Sequence, residues 1–142
     1  MGKRISRSEA RKEAFKLIFG INQHADDLDF LFENLLCENP KAEEAMPYIR
    51  RVTEGVLKHY DELSETVSRN LAEGWSIERI SKPSRAILML AVYEIKYAED
   101  VPDRVAINEA VELAKLFDEP QAAPFINGVL AGVLKNESVS GD

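Results

Sequence analysis

Ala86-Ile87-Leu88-Met89-Leu90-Ala91-Val92-Tyr93 is the longest apolar run in the chain. Its eight residues fall well short of the ~18 that a bilayer span requires. Pro83 lies just upstream, where the first turn of a helix tolerates its fixed φ and missing N–H. The spacing predicts a helix over 83–98 that is apolar on every side, and such a helix is buried on every side. A helix of this kind needs neighbours all round, which places it at the centre of a helical bundle.

The neighbours are legible on either side. Downstream, Val101-Pro102-Asp103 is a turn, and a cleanly amphipathic helix follows at about 104–117. There Ala106, Ile107, Ala110, Val111, Leu113, Ala114 and Phe117 fall within about a 160° arc. A last helix covers about 122–135, and the tail 137–142 is expected to fray. Upstream, Ala10, Ala14, Leu17 and Ile21 define a first helix at 7–22, broken by Asp26-Asp27. A second helix at 28–38 ends at Asn39-Pro40, and Pro47 opens a third at 47–59. Leu63, Val67 and Leu71 line a fourth at 61–72, with Gly74 as its stop and Ser76 capping a short turn through Ile80. The expectation is an all-α fold: a single-domain helical bundle of about seven helices over residues 1–142.

The chain has 142 residues, 45% hydrophobic and 30% charged, with a net charge of −7. That total argues against nucleic acid, but it hides an asymmetry. Residues 1–16 carry Lys3, Arg4, Arg7, Arg11, Lys12 and Lys16 against Glu9 and Glu13, a balance of +4 on a remainder of −11. On a continuous helix Arg4, Arg7 and Arg11 lie within about 60° of one another, with Phe15 at the edge of the stripe and Phe19 beside it. Cations that neutralise phosphates beside an aromatic that stacks on unpaired bases suit single-stranded nucleic acid. The competing reading is a solvated charged face with Phe15 or Phe19 in the core and Glu9 and Glu13 pairing along the helix.

Little points to catalysis. One cysteine, Cys37, cannot form an internal disulfide, fits a reducing cytosol and reads as a small core residue. With His24 and His59 it makes a poor metal inventory, so neither metal nor cofactor is expected. Glu109 on the polar face of 104–117 has no second group at a defined spacing for acid–base work. Trp75 reads as a core anchor. Gly128 and Gly132, four apart in the last helix, read as tight helix packing or as a groove shaped for a partner.

Five blocks together are specific. They are Trp75-x-x-x-Arg79-Ile80, Arg85-Ala86-Ile87-Leu88-x-Leu90-Ala91-x-Tyr93-Glu94-Ile95, Val101-Pro102, the stretch Val105-Ala106-Ile107-Asn108-Glu109-Ala110-Val111-Glu112-Leu113-Ala114-Lys115, and Phe125-Ile126-Asn127-Gly128-Val129-Leu130. With Arg7-x-x-x-Arg11-x-x-Ala14, Tyr48-x-Arg50 and Gly55-Val56, the chain resembles the NusB family of bacterial transcription antitermination factors. The resemblance implies two packed helical sub-bundles, no enzyme activity and a cytoplasmic site of action. It implies binding to the boxA element of ribosomal RNA transcripts together with the ribosomal protein NusE. Other Nus factors and RNA polymerase are then met indirectly.

Carried over residue by residue, the resemblance implies an RNA surface of Arg7 and Arg11, with Lys3, Arg4 and Lys12 as helpers, Phe19 where relatives often have a tyrosine, and Gln121 and Phe125 at a second edge. Ser84 stands where some relatives have a glutamate, and the Trp75–Tyr97 region (Trp75, Ser84, Arg85, Tyr93) is the expected partner-facing side. Two other roles are compatible with the same residues. One is an accessory domain for an RNA-modifying enzyme, which needs a methyltransferase domain after Asp142 or a separate enzyme. The other is a homodimeric interaction module.

Overall fold

The computed structural model describes residues 5–21 and 27–137. Lys3, Arg4, His24 and the tail beyond residue 137 lie outside them. Seven α-helices follow in order: α1 (Arg7–Ile21), α2 (Leu28–Glu38), α3 (Met46–Lys58), α4 (Tyr60–Arg69), α5 (Lys82–Tyr97), α6 (Asp103–Phe117) and α7 (Ala122–Glu137). The described residues form no strand. Two short 3₁₀ turns, Pro40–Ala45 and Ile77–Arg79, connect α2 to α3 and α4 to α5.

Local chemistry sets the boundaries. Asp27 accepts from the Phe30 amide at 3.3 Å and caps α2. Ser81 caps α5 by accepting from the Ser84 amide at 3.2 Å, and Pro83 occupies the first turn. The helix expected at 61–72 stops earlier, at Arg69. The reason lies at Asn70, whose Nδ2 donates to the Thr66 carbonyl at 2.8 Å while its amide turns to Val67. Gly74 then takes φ +90°, a left-handed value that only glycine adopts without strain. Ser76 precedes the 3₁₀ turn as expected but makes no side-chain cap.

α1, α2 and α3 pack into one sub-bundle and α4 to α7 into a second. α5 touches both, packing on α1, α3, α4, α6 and α7. Every residue from Ala86 to Glu94 is buried, as the apolar run predicts, with Glu94 as the exception in chemistry but not in burial. Each fully buried Ile87, Leu88 or Leu90 side chain stabilises the fold by roughly 1.5–3 kcal/mol. α6 presents Ala106, Ala110, Leu113 and Ala114 inward, and its small residues let the helix lie close. α1 and α6 run in the same direction: Ser8 donates to Glu109 at 2.8 Å, and the Phe15 and Phe117 rings meet at 4.8 Å. Phe15 is core, as the competing reading of the first helix held, while Phe19 keeps part of its ring at the surface.

Two expected core residues are not core. Cys37 is exposed, because α2 buries Phe32 and Leu35 and Cys37 lies two residues, about 200°, round from Leu35. Trp75 is half exposed, since it sits in the turn between the sub-bundle helices and not on a helix face. No helix among the described residues is long and apolar enough to cross a membrane.

Candidate nucleic-acid interface

α1 carries its cations to different ends. Arg7, in the first turn, is exposed, and its guanidinium lies 4.1 Å above the centroid of the Tyr48 ring from α3. Asp100, in the α5–α6 turn, lies 3.9 Å from it across an exposed and therefore weak pair. Lys12 is half-buried and Lys16 exposed, the latter 3.9 Å from Glu13. Phe19 lies about 18 Å further along the helix than Arg7. Its ring stacks beside Phe15, which touches Phe117 at the end of α6.

Arg11 is not among the surface cations. It is 3% exposed, and its Nε and Nη2 donate to the two Glu94 oxygens at 2.8 and 3.1 Å. Its Nη1 lies 3.4 Å from Glu109, and the Tyr48 hydroxyl donates to Glu94 at 2.7 Å. Burial alone pulls the guanidinium pKa down, but the Glu94 hydrogen bond and charge outweigh it and hold Arg11 firmly protonated. Burial and the neighbouring Glu94 charge push the Tyr48 phenol up, so it stays neutral. Arg11, expected at the RNA surface, is thus buried with its fork filled by carboxylates. The signal was in the sequence, because Arg11, Ala14, Phe15 and Ile18 share the i, i+3, i+4, i+7 face.

The second edge is a groove of about 350 Å³ between the α4–α5 turn and the α6–α7 loop. Trp75, Ser84, Asp118, Gln121 and Phe125 line it. Trp75 and Phe125 face each other at 6.4 Å, and Arg79 lies 5.2 Å over the indole. Asp118 accepts from Ser81 at 2.5 Å and from Ser84 at 2.6 Å. Burial raises the Asp118 pKa, but these two hydroxyls and the backbone amides outweigh it and hold it below the ordinary value of 3.8. Two residues assigned to RNA (Gln121, Phe125) and two assigned to a partner (Trp75, Ser84) thus share one groove. Arg85 follows Ser84, half-buried, with its Nε enclosed and without a hydrogen-bond partner among the described residues. Tyr93 does not join them. It lies nine residues and half a turn round α5 from Ser84, buried against Gly55, His59 and Tyr97.

A sequence profile of the NusB family matches residues 8–135. The chain belongs to the NusB family. A NusB transcription antitermination protein of Levilactobacillus brevis is 40% identical over 136 residues, covering 94% of this chain and 96% of its own. T. maritima NusB superposes with a TM-score of 0.85 at 31% identity, covering 94% of this chain and 93% of its own. A crystal structure of the antitermination factors NusB and NusE in complex with dsRNA matches with a TM-score of 0.81 at 25% identity, over 91% of this chain and 96% of that one. The two-sub-bundle architecture is therefore that of NusB structures. The residues whose contacts the motif blocks did not point to are Tyr48 and Glu94 beneath α1 and Asp118 in the groove. Glu94 was the one acid in a buried NusB helix, which by itself demands a buried base.

Proposed function

We propose that the chain is an RNA-binding transcription antitermination factor that takes boxA RNA of ribosomal transcripts together with NusE. The observation that carries this is the head of α1, where the exposed Arg7 guanidinium is held over Tyr48 at the edge of an otherwise acidic body. Arg7 at the head of α1, and Lys12 and Phe19 round the helix from it, contact RNA on this reading, and Gln121 and Phe125 form a second edge. Lys3 and Arg4 extend the first edge by sequence. Arg11 supports it from below through Glu94 and Tyr48. Trp75, Ser84 and Arg85 serve the protein partner; Trp75 and Ser84 share their groove with Gln121 and Phe125, which fits joint recognition of RNA and NusE. The role is binding without catalysis, carried out in the cytoplasm where transcription runs.

A boxA RNA shift assay with and without NusE tests this. With three or four phosphates contacted, log K should fall against log salt with a slope of about −2 to −3. Absence of a shift in both conditions overturns the proposal.

A further inference from the structure

Three arginines surround one ring. The guanidinium carbons of Arg7, Arg11 and Arg51 lie 4.1, 5.7 and 5.7 Å from the Tyr48 centroid. Arg11 is buried and committed to Glu94. Arg7 and Arg51 are exposed, come from α1 and α3, and line the same solvent-open cleft of about 390 Å³, with Ile5, Ser6 and Pro47. We propose that Arg7 and Arg51 form a two-armed clamp for one backbone phosphate of single-stranded RNA, seated at the rim of the Tyr48 ring. This rests on the RNA-binding reading above and adds Arg51, which no motif block points to.

Four observations support the pairing. First, Arg51 forms no ion pair among the described residues, so its charge is uncommitted. Its neighbour Arg50 differs: it lies 4.5 Å over Phe32 and 3.7 Å from Asp29. Second, the one ion pair that Arg7 forms among the described residues is the loose, exposed contact to Asp100, which a phosphate can displace. Third, the Tyr48 ring is fixed by its own hydroxyl, donated to the buried Glu94 at 2.7 Å. Guanidinium groups resting on a fixed ring lose less freedom on binding than free side chains do. Fourth, the fork geometry of guanidinium matches phosphate oxygens, and two forks from separate helices fix a phosphate's orientation as well as its charge. Glu44 and Asp100 also line the cleft, so it is no general anion trap, and the phosphate gains Arg7 by replacing Asp100.

The test is a fluorescence titration of a labelled single-stranded boxA RNA across a salt series, with wild type, Arg51→Ala, Arg51→Glu, Arg7→Ala, Arg50→Ala and the Arg7→Ala/Arg51→Ala pair. Arg51→Ala should weaken binding about three- to tenfold at low salt and flatten the salt slope by up to about 0.7. Arg51→Glu should weaken it further, and Arg50→Ala should leave it unchanged. The paired variant should lose less than the product of the single losses, because both arms hold one phosphate. Superimposable thermal melts separate these effects from folding. If wild type binds and Arg51→Ala binds with the same affinity and slope, the clamp is overturned while the RNA reading stands. If wild type fails to bind RNA with and without NusE, the RNA reading falls and the clamp with it. If inorganic phosphate at fixed ionic strength protects wild type but not Arg51→Ala against thermal unfolding, while RNA affinity ignores the substitution, the cleft takes a free anion and the clamp is again overturned.

Discussion

Arg11 and Glu94 are locked in a bidentate pair inside the core, 83 residues apart in sequence. The pair joins the first helix of one sub-bundle to the central helix of the other, and Tyr48 adds α3 to the same carboxylate. Its energetic meaning is specific. Forming such a pair gains little over apolar packing, but removing one partner strands a buried charge.

Arg11→Ala should therefore destabilise the protein by about 3–5 kcal/mol, far more than the loss of a surface cation. Tyr48→Phe, which removes one hydrogen bond to a charged acceptor and keeps the ring, should cost about 1.5–3 kcal/mol. Urea unfolding measures both. An Arg11→Ala variant as stable as wild type would show that the pair is not closed in solution. Reduced RNA binding by Arg11→Ala is expected as well, as a consequence of a shifted α1 and Tyr48.

The helices were legible because α5 and α6 write burial directly into residue type: apolar all round in one, on one arc in the other. Their ends were less so. Asn70 shortens α4 through a side-chain bond to Thr66 that no periodicity encodes. At the site, Arg7, Trp75 and Gln121 are exposed and Phe125 half-buried, whereas Arg11 and Tyr93, named with them, are buried. The difference has one cause. A motif states which residue types recur and not which way they point, and here the angle round the helix decides. Arg51 was out of reach, because its proximity to Arg7 exists only once α3 packs on α1.

Glycine substitutions should divide by what surrounds them. At Gly55 an added methyl would overlap Cε1 and Cζ of Tyr93, so Gly55→Ala should cost about 1–3 kcal/mol. At Gly128 nothing lies within 4 Å, and Gly128→Ala should stabilise α7 by about 0.5–1 kcal/mol. At Gly132 the neighbour is the Asn70 side chain, with Oδ1 3.0 Å away, and not another helix backbone as four-residue spacing suggested. Thermal melts of the first two variants should move in opposite directions. A shift of both the same way would contradict this packing.

Acid and alkali should each weaken the tie between α4 and α5. Glu62 accepts from the Tyr97 hydroxyl at 2.6 Å and from Lys96 at 3.1 Å. The Tyr97 bond, then Lys96, holds the Glu62 carboxyl below its ordinary 4.5, against a smaller opposing effect of burial. A depressed pKa stabilises above the unfolded value, and that contribution disappears as pH falls below 4.5 through the folded value. Tyr97, raised from 10.0 to about 12 chiefly by its bond to Glu62, has the opposite sign: its contribution is full below 10 and disappears as pH rises toward 12. Both groups are solvent-screened, so the effect stays under about 1 kcal/mol. Glu62→Gln should be less stable than wild type at pH 7, and the gap should narrow as pH falls below 4.5. A gap that does not narrow in acid would assign the loss to packing.

Neutralising the acid that competes for Arg7 should tighten RNA binding. Asp100 lies 3.9 Å from Arg7 and is exposed, so Asp100→Asn removes a competitor without disturbing the core. Affinity for boxA RNA at low salt should rise about two- to fivefold, within the worth of an exposed pair. Weaker binding by Asp100→Asn would mean that Asp100 holds Arg7 in place for RNA.

Trp75 reports on the groove without a label. It is the one tryptophan in the chain, it is half exposed, and Phe125 and Arg79 flank its ring. A partner filling the groove must bury the indole and move its emission to the blue. An exposed aromatic beside a second aromatic is also the kind of residue that dominates an interface, so Trp75→Ala should weaken NusE binding by ~2 kcal/mol or more, about 30-fold. The substitution should leave stability nearly unchanged, because the side chain contributes little to the core. The two edges can then be separated by one pair of variants. Arg7→Ala should weaken RNA binding and leave the NusE-induced emission shift intact, whereas Trp75→Ala should weaken NusE binding seen by sedimentation and spare the salt slope for RNA alone. Emission that does not move when NusE binding is seen by sedimentation would place the partner elsewhere on the molecule.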